Sequence, residues 1–165
     1  MALDLIGELE ALVDAFEREQ IDHAVCGGLA LAIHGHPRAT MDIDILVAPE
    51  SLSAALATAR GQGFDIPARK IVFGLRTGTP REVHRVSKLD PETSDLLSVD
   101  LLLVGPGFEQ VWADRARVPW RTREIRVVSR DGLATMKRIA GRPQDLADLA
   151  KLEGRDDPEA NDNET

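Results

Sequence analysis

Three aspartates carry the chemistry this sequence can offer. Asp42 and Asp44 are separated by one residue in Asp42-Ile-Asp-Ile-Leu-Val47, and Asp100 lies within Ser98-Val-Asp-Leu-Leu-Leu-Val104. Both stretches are rich in Ile, Leu and Val, which predicts strands. In a strand, residues i and i+2 project from one face, so Asp42 and Asp44 stand together while Ile43 and Ile45 turn the other way. Two carboxylates about 4 Å apart repel by about 4 kcal/mol at an effective dielectric of about 20. A shared proton, an arginine or lysine, or a metal ion must offset that. Hard oxygen ligands suit magnesium (or manganese), which takes one or two protein carboxylates together with phosphates and waters.

Asp100 sits in an almost continuous apolar run, the signature of a strand buried on both faces. A charge there is costly unless it is paired or bound to a metal. A strand that places Asp100 beside Asp42 and Asp44 makes a three-carboxylate cluster, able to hold two cations about 4 Å apart. Gly27-Gly28 lies upstream of the Asp pair. Two glycines between a strand and a helix let the backbone approach a ligand closely. The following helix N-terminus offers N–H groups to phosphate.

The elements that must position these residues follow from pattern. Residues 2–19 read as an amphipathic helix through Leu5, Leu9, Leu12 and Phe16. His23–Cys26 predicts a short strand, 29–34 a short helix stopped at Gly35-His36-Pro37, and 42–47 a strand. A helix is expected over 51–60. Strand pairs around Thr77-Gly-Thr-Pro80 are expected over 69–75 and 82–89, then a central strand over 98–104. Residues 108–115 read as helix, 123–128 as strand, and 131–140 and 143–153 as closing helices. Asp131 is the expected N-cap, Gly141 the stop and Pro143 the first-turn residue. One domain over 1–153 and a disordered acidic tail over 154–165 are expected.

The stretch Gly27-Gly-Leu-Ala-Leu-Ala-Ile-His-Gly-His-Pro-Arg-Ala-Thr-Met-Asp-Ile-Asp44 resembles the polymerase-beta-like nucleotidyltransferase superfamily. That superfamily shows a Gly-Gly or Gly-Ser pair, a short helix, Asp-x-Asp or Asp-x-Glu, and a third Asp on a later strand. More narrowly it is similar to AbiE-type toxins and related minimal nucleotidyltransferases of bacterial toxin–antitoxin systems. Their Arg-x-Thr-x-Asp-h-Asp is matched by Arg38–Asp44. Their Lys, Arg and Asp-x-x-Asp-Leu are matched by Lys137, Arg142 and Asp145–Leu149. The resemblance spans residues 21–153 and is weakest over 64–97. It implies an α/β chain with a mixed sheet flanked by helices, transferring a nucleoside monophosphate from a triphosphate to a hydroxyl. Asp42, Asp44 and Asp100 would then ligate metal, with Asp100 also serving the acceptor as base. Gly27 and Gly28 would line the triphosphate, and Arg38 and Lys137 are its candidate contacts. Many active members carry serine where this chain has Gly28, so that hydroxyl is missing here.

Plainer readings stand beside these. Asp42 and Asp44 could be exposed strand residues beside arginines, Asp100 an edge residue and Lys137 a solvated helix lysine. Arg38 is open between triphosphate contact and an ion pair. Asp145 and Asp148 are expected to serve the last helix or to pair with Arg38 or Arg142. The net charge is −8, which excludes a surface basic all over. A local patch of Arg121, Arg123, Arg126 and Arg130, continued by Lys137, Arg138 and Arg142, reads either as solvated faces or as phosphate contacts for a tRNA. One cysteine, Cys26, fits a reducing cytoplasm. No apolar run is long enough to span a membrane. Three functions compete. One is an enzyme acting on RNA, a protein or a small molecule, the toxin-like resemblance favouring a tRNA end or a protein hydroxyl over an antibiotic. Another is a nucleotide-binding protein that has lost turnover. The last is a chain that works only with a partner such as an antitoxin.

Overall fold

The computed structural model describes residues 3–68, 70–73, 78 and 81–154. Residues 155–165 of the tail expected over 154–165, and most of the turn expected at 77–80, lie outside them. Helix α1 (Leu5–Arg18) comes first, followed by strand β1 (Ala24–Cys26) and helix α2 (Gly27–Ile33). Strand β2 (Asp42–Val47) leads through a single 3-10 turn at Pro49–Ser51 into helix α3 (Leu52–Gly61). Then come β3 (Ile66–Pro67), β4 (Ile71–Phe73), β5 (Arg81–Leu89) and β6 (Leu96–Leu103). Helix α4 (Glu109–Ala113), strands β7 (Ala116–Trp120) and β8 (Arg123–Val127), and helices α5 (Arg130–Ala140) and α6 (Pro143–Leu152) complete the order.

The strands form one mixed sheet in the order β3-β5-β6-β2-β1-β8-β7, with β4 paired to β5. β2 runs parallel to β6, and β1 parallel to β8. The other pairs are antiparallel. β2 and β6 lie at the middle, as their apolar runs require. Ile43, Ile45, Val99 and Leu101 are fully buried. Leu9, Leu12, Val13 and Phe16 recur at helical spacing along α1 and are buried in the same core. Helices α1 and α3 touch each other and the sheet, while α5 packs against α2, α4 and α6. A mixed sheet flanked by helices is what the resemblance implies.

Local details differ from expectation for physical reasons. Gly27-Gly28 does not form a linker between strand and helix, because β1 passes straight into α2. Gly27 makes that corner with a left-handed φ of +66°. The N-cap of α5 is Ser129, not Asp131: its Oγ accepts the Gly132 N–H at 2.9 Å, so the helix starts earlier. Gly141 ends α5 with φ +64°, and Pro143 opens α6, both as expected. Strand β7 has no counterpart in the sequence reading.

Candidate active site

Strand registry brings distant residues into one row. Cys26 pairs with Asp44, Asp44 with Asp100, and Asp100 with Arg85. Residues directly opposite in a sheet share a face. Four strands therefore present Cys26, Asp44, Asp100 and Arg85 side by side, and Asp42 joins them two positions along β2. The predicted aspartate cluster is brought together, and it forms the floor of a cleft of about 430 Å³.

Gly27 is shaped by this floor. A Cβ on Gly27 would lie 1.9 Å from Asp44 Oδ2, so only glycine leaves room for the carboxylate and accepts the left-handed backbone. Gly28 is confined differently. A Cβ there would meet Thr40 Oγ1 at 3.0 Å and Arg38 Nη2 at 3.3 Å. The Thr40 hydroxyl thus occupies the space beside Gly28, where a serine side chain would have to fit. Thr40 lines the cleft as well.

The cluster is short of positive charge. Burial first, then the Asp100 and Asp42 carboxylates, push Asp44 up to about 7. Burial also raises Asp42, and Arg85 counters this only in part. The Cys26 thiol is raised by burial and by Asp44, which leaves it protonated and inert as a nucleophile. Arg85 grips Asp100 through two parallel hydrogen bonds, Nε to Oδ1 at 2.7 Å and Nη2 to Oδ2 at 2.8 Å. Its Nη2 also stands 3.6 Å from Asp42 Oδ2. These contacts, the Asp100 hydrogen bonds above all, raise the Arg85 pKa further. Among the described residues no three His, Cys, Asp or Glu side chains are gathered into a ready-made cation cage. The donor set still fits a hard divalent ion: all donors are carboxylate oxygens, on adjacent central strands, with a net need for positive charge.

The second charged group lies on the wall made by α5, α6 and the segment before β2. Arg38 donates Nε and Nη2 to the two Asp148 oxygens, both at 2.8 Å. Lys137 Nζ lies 2.9 Å from Asp148 Oδ2 and 3.5 Å from Asp145 Oδ1. Arg142 Nε donates to Asp145 Oδ2 at 2.7 Å, and Gln144 Nε2 to Asp148 Oδ1 at 3.0 Å. Asp148 is fully buried. Burial opposes its charge, yet hydrogen bonds from Arg38 and Lys137 outweigh that and hold it down to about 2. Lys137 is therefore not a solvated lysine: Asp145 and Asp148 hold it, and it also lines the cleft. Arg38 makes the ion pair of its two readings while also lining the cleft, and Asp145 and Asp148 pair with Arg142 and Arg38.

Sequence reasoning missed Arg85 and Arg81. Both line the cleft from β5, as does Val83 between them. Strand alternation alone puts these three on one face. Arg81 stacks on the Phe108 ring at 3.9 Å and donates to the Pro106 carbonyl. Apolar side chains line the cleft as well, Leu102 from β6 and Leu133, Met136 and Ile139 from α5. Most of the arginine stretch over 115–130 is occupied on α1 and the turn after it. Arg115 and Arg126 both pair with Asp22, and Arg123 pairs with Asp14 at 2.7 Å. Arg117 pairs with Glu17 and Arg121 with Glu10. Arg130 donates to the His34 carbonyl. No helix among the described residues is long and apolar enough to cross a membrane.

No protein-family model and no curated protein matches this chain. Solved structures do. A provisionally assigned nucleotidyltransferase from Thermotoga maritima aligns with a TM-score of 0.58 at 18% identity, over 91% of this chain and 92% of that one. The lincosamide antibiotic adenylyltransferase LnuA, solved with lincomycin, gives 0.55 at 15% identity, over 89% and 95%. ANT(2″)-Ia, solved with adenylyl-2″-tobramycin, gives 0.60 at 11% identity, over 89% and 86%. These likenesses establish the fold: the chain adopts a nucleotidyltransferase fold.

Proposed function

We propose that this protein is a metal-dependent nucleotidyltransferase, moving a nucleoside monophosphate from a triphosphate to a hydroxyl. One observation carries the reading. Asp42, Asp44 and Asp100 share one face of β2 and β6 at the floor of a cleft, in a chain with this fold. Such a costly cluster has no structural purpose that uncharged residues would not serve better.

Asp42, Asp44 and Asp100 are the residues that would hold a divalent cation, which supplies positive charge to a triphosphate and to an attacking oxygen. Asp100 accepts or steers the proton of the acceptor hydroxyl. The acceptor oxygen bonds to the α-phosphorus as the bond to pyrophosphate breaks. Gly27 and Gly28 keep side chains out of the adjoining wall, and the Thr40 hydroxyl stands in for the side chain that Gly28 lacks.

The acceptor is best sought among hydroxyls of small molecules and proteins. The structural neighbours solved with lincomycin and with adenylyl-2″-tobramycin support the first, and the apolar side chains lining the cleft suit either. A tRNA acceptor has less support, because Arg123 is engaged by Asp14 of α1 and Arg126 by Asp22 in the turn after it. The toxin reading, with an antitoxin partner, rests on the Arg38–Asp44 and Lys137–Leu149 matches. Here the second match has a structural account in the Asp148 network. Loss of turnover remains the competing reading, favoured by the hold of Arg85 on Asp100.

The test is to incubate the protein with each α-labelled nucleoside triphosphate, magnesium or manganese, and separate pools of tRNA, protein and hydroxyl-bearing antibiotics. The double variant Asp42→Asn, Asp44→Asn is the control. Label that depends on the two aspartates identifies nucleotide and acceptor together. Nucleotide binding without label in any pool turns the conclusion to a silent nucleotide-binding protein.

A further inference from the structure

We propose that Arg85 is the resident counter-cation of the carboxylate floor, which a divalent ion must displace from Asp100 before it can bind. The inference rests on the reading of Asp42, Asp44 and Asp100 as a metal site, and adds a competitor built into the chain.

The geometry supports a real competition. Both Asp100 oxygens are engaged by one guanidinium, at 2.7 and 2.8 Å, in a bidentate pair. The same guanidinium leans on Asp42 at 3.6 Å, so it spans the two strands whose carboxylates a cation would bridge. Registry places Arg85 directly opposite Asp100 across β5 and β6, so the contact is set by backbone pairing and not by a chance side-chain pose. Asp100 has only 9% of its side chain exposed, and without a cation of some kind its charge would stand nearly buried and unpaired. Arg85 removes that penalty when no metal is present. Its own side chain is 31% exposed, so on release it can turn to water or to a bound phosphate.

The consequence is that a free divalent ion binds weakly, because it must break a charge-assisted pair first. An ion arriving with a triphosphate meets less resistance, since the phosphates offer the released guanidinium a new partner.

Manganese binding without nucleotide, followed by the electron paramagnetic resonance of the free ion, tests this. Arg85→Gln should tighten Mn²⁺ binding about tenfold, equivalent to about 1.4 kcal/mol. Arg85→Lys keeps the charge but grips one oxygen at a time, and should tighten it by roughly threefold. In an Asp100→Asn background, the gain from Arg85→Gln should shrink to what its longer contact with Asp42 allows, under about twofold. Circular dichroism confirms the fold of each variant, and Arg85→Lys carries the comparison if Arg85→Gln does not fold. Equal or weaker Mn²⁺ binding by the folded variants overturns the proposal. So does a gain of undiminished size with Asp100→Asn, which would reduce Arg85 to a distant charge. If wild type binds Mn²⁺ no better than Asp42→Asn, Asp44→Asn, the metal-site reading itself fails, and this inference falls with it. If binding needs both aspartates yet ignores Arg85, the inference alone fails.

Discussion

Two clusters of acids and bases border the same cleft, and they are balanced in opposite ways. On the sheet, Arg85 grips Asp100 and leans on Asp42, while Asp44 is countered through space by Lys137 and Arg142 and is outweighed by burial and the neighbouring carboxylates. On the helical wall, Asp145 and Asp148 are matched by Arg38, Lys137 and Arg142. The result shows in protonation. Asp44 is pushed up to about 7, while Asp148 is held down to about 2. The same residue type is unsatisfied at one address and satisfied at the other. A self-sufficient ion network makes architecture; an under-neutralised one has a use for a ligand.

The largest effect should come from the sheet cluster and appear in turnover alone. Asp42→Asn with Asp44→Asn should lower nucleotidyl transfer by at least about 10³-fold, or about 4 kcal/mol in barrier, with the fold kept. Activity within tenfold of wild type would remove the contrast between the clusters. The helical cluster should respond in stability instead. Asp148→Ala leaves Arg38 and Lys137 short of their shared partner and should cost about 3–5 kcal/mol in urea unfolding. A loss below about 1 kcal/mol would show that this network is not structural.

The pH dependence sharpens the comparison, because the signs oppose. Asp148 has a folded-state pKa below its ordinary value of 3.8, so its contribution is complete above pH 4 and is lost as pH falls toward 2, about 2 kcal/mol in all. Asp44 has a raised folded-state pKa. In metal-free buffer it lowers stability as pH rises from about 4 to 7, by about 1–2 kcal/mol once cleft water screens the charges. Asp44→Asn should therefore melt above wild type at pH 8 but close to it at pH 4. A gap of the same size at both pH values would contradict the raised pKa. The smallest effect is steric. Gly28→Ser brings a Cβ to 3.0 Å from Thr40 Oγ1 and 3.1 Å from Thr40 Cβ and should cost about 1 kcal/mol, recovered in part by Thr40→Ala, which removes the first contact only. No recovery would mean that Thr40 does not fill that space.

What was legible in the sequence follows from the range of each interaction. The aspartate cluster was readable because period-2 alternation and apolar flanks fix the faces of β2 and β6 locally. Asp145 and Asp148 could be read as helix-turn acids or as partners of Arg38 or Arg142, but neither the pairing of each nor the burial of Lys137 between them could be read. Arg85 was invisible because its partner depends on the register of β5 against β6, across the stretch of least pattern. Strand β7 hid behind Pro119, which argues against a strand in general but is tolerated at the sheet edge where β7 lies. The start of α5 was misplaced because Ser129 and Asp131 are both good caps, and only the backbone decides between them.

The Arg38–Asp148 pair joins residues 110 positions apart, and the Asp44–Asp100 register joins strands with α3 and three further strands between them. Contacts so distant along the chain form late in folding. During synthesis the carboxylate floor cannot close until β6 has emerged, and Arg38 waits longer still for α6. A growing chain thus keeps the halves of its cleft apart until β6 emerges, and the helical wall stays incomplete until α6 has left the ribosome.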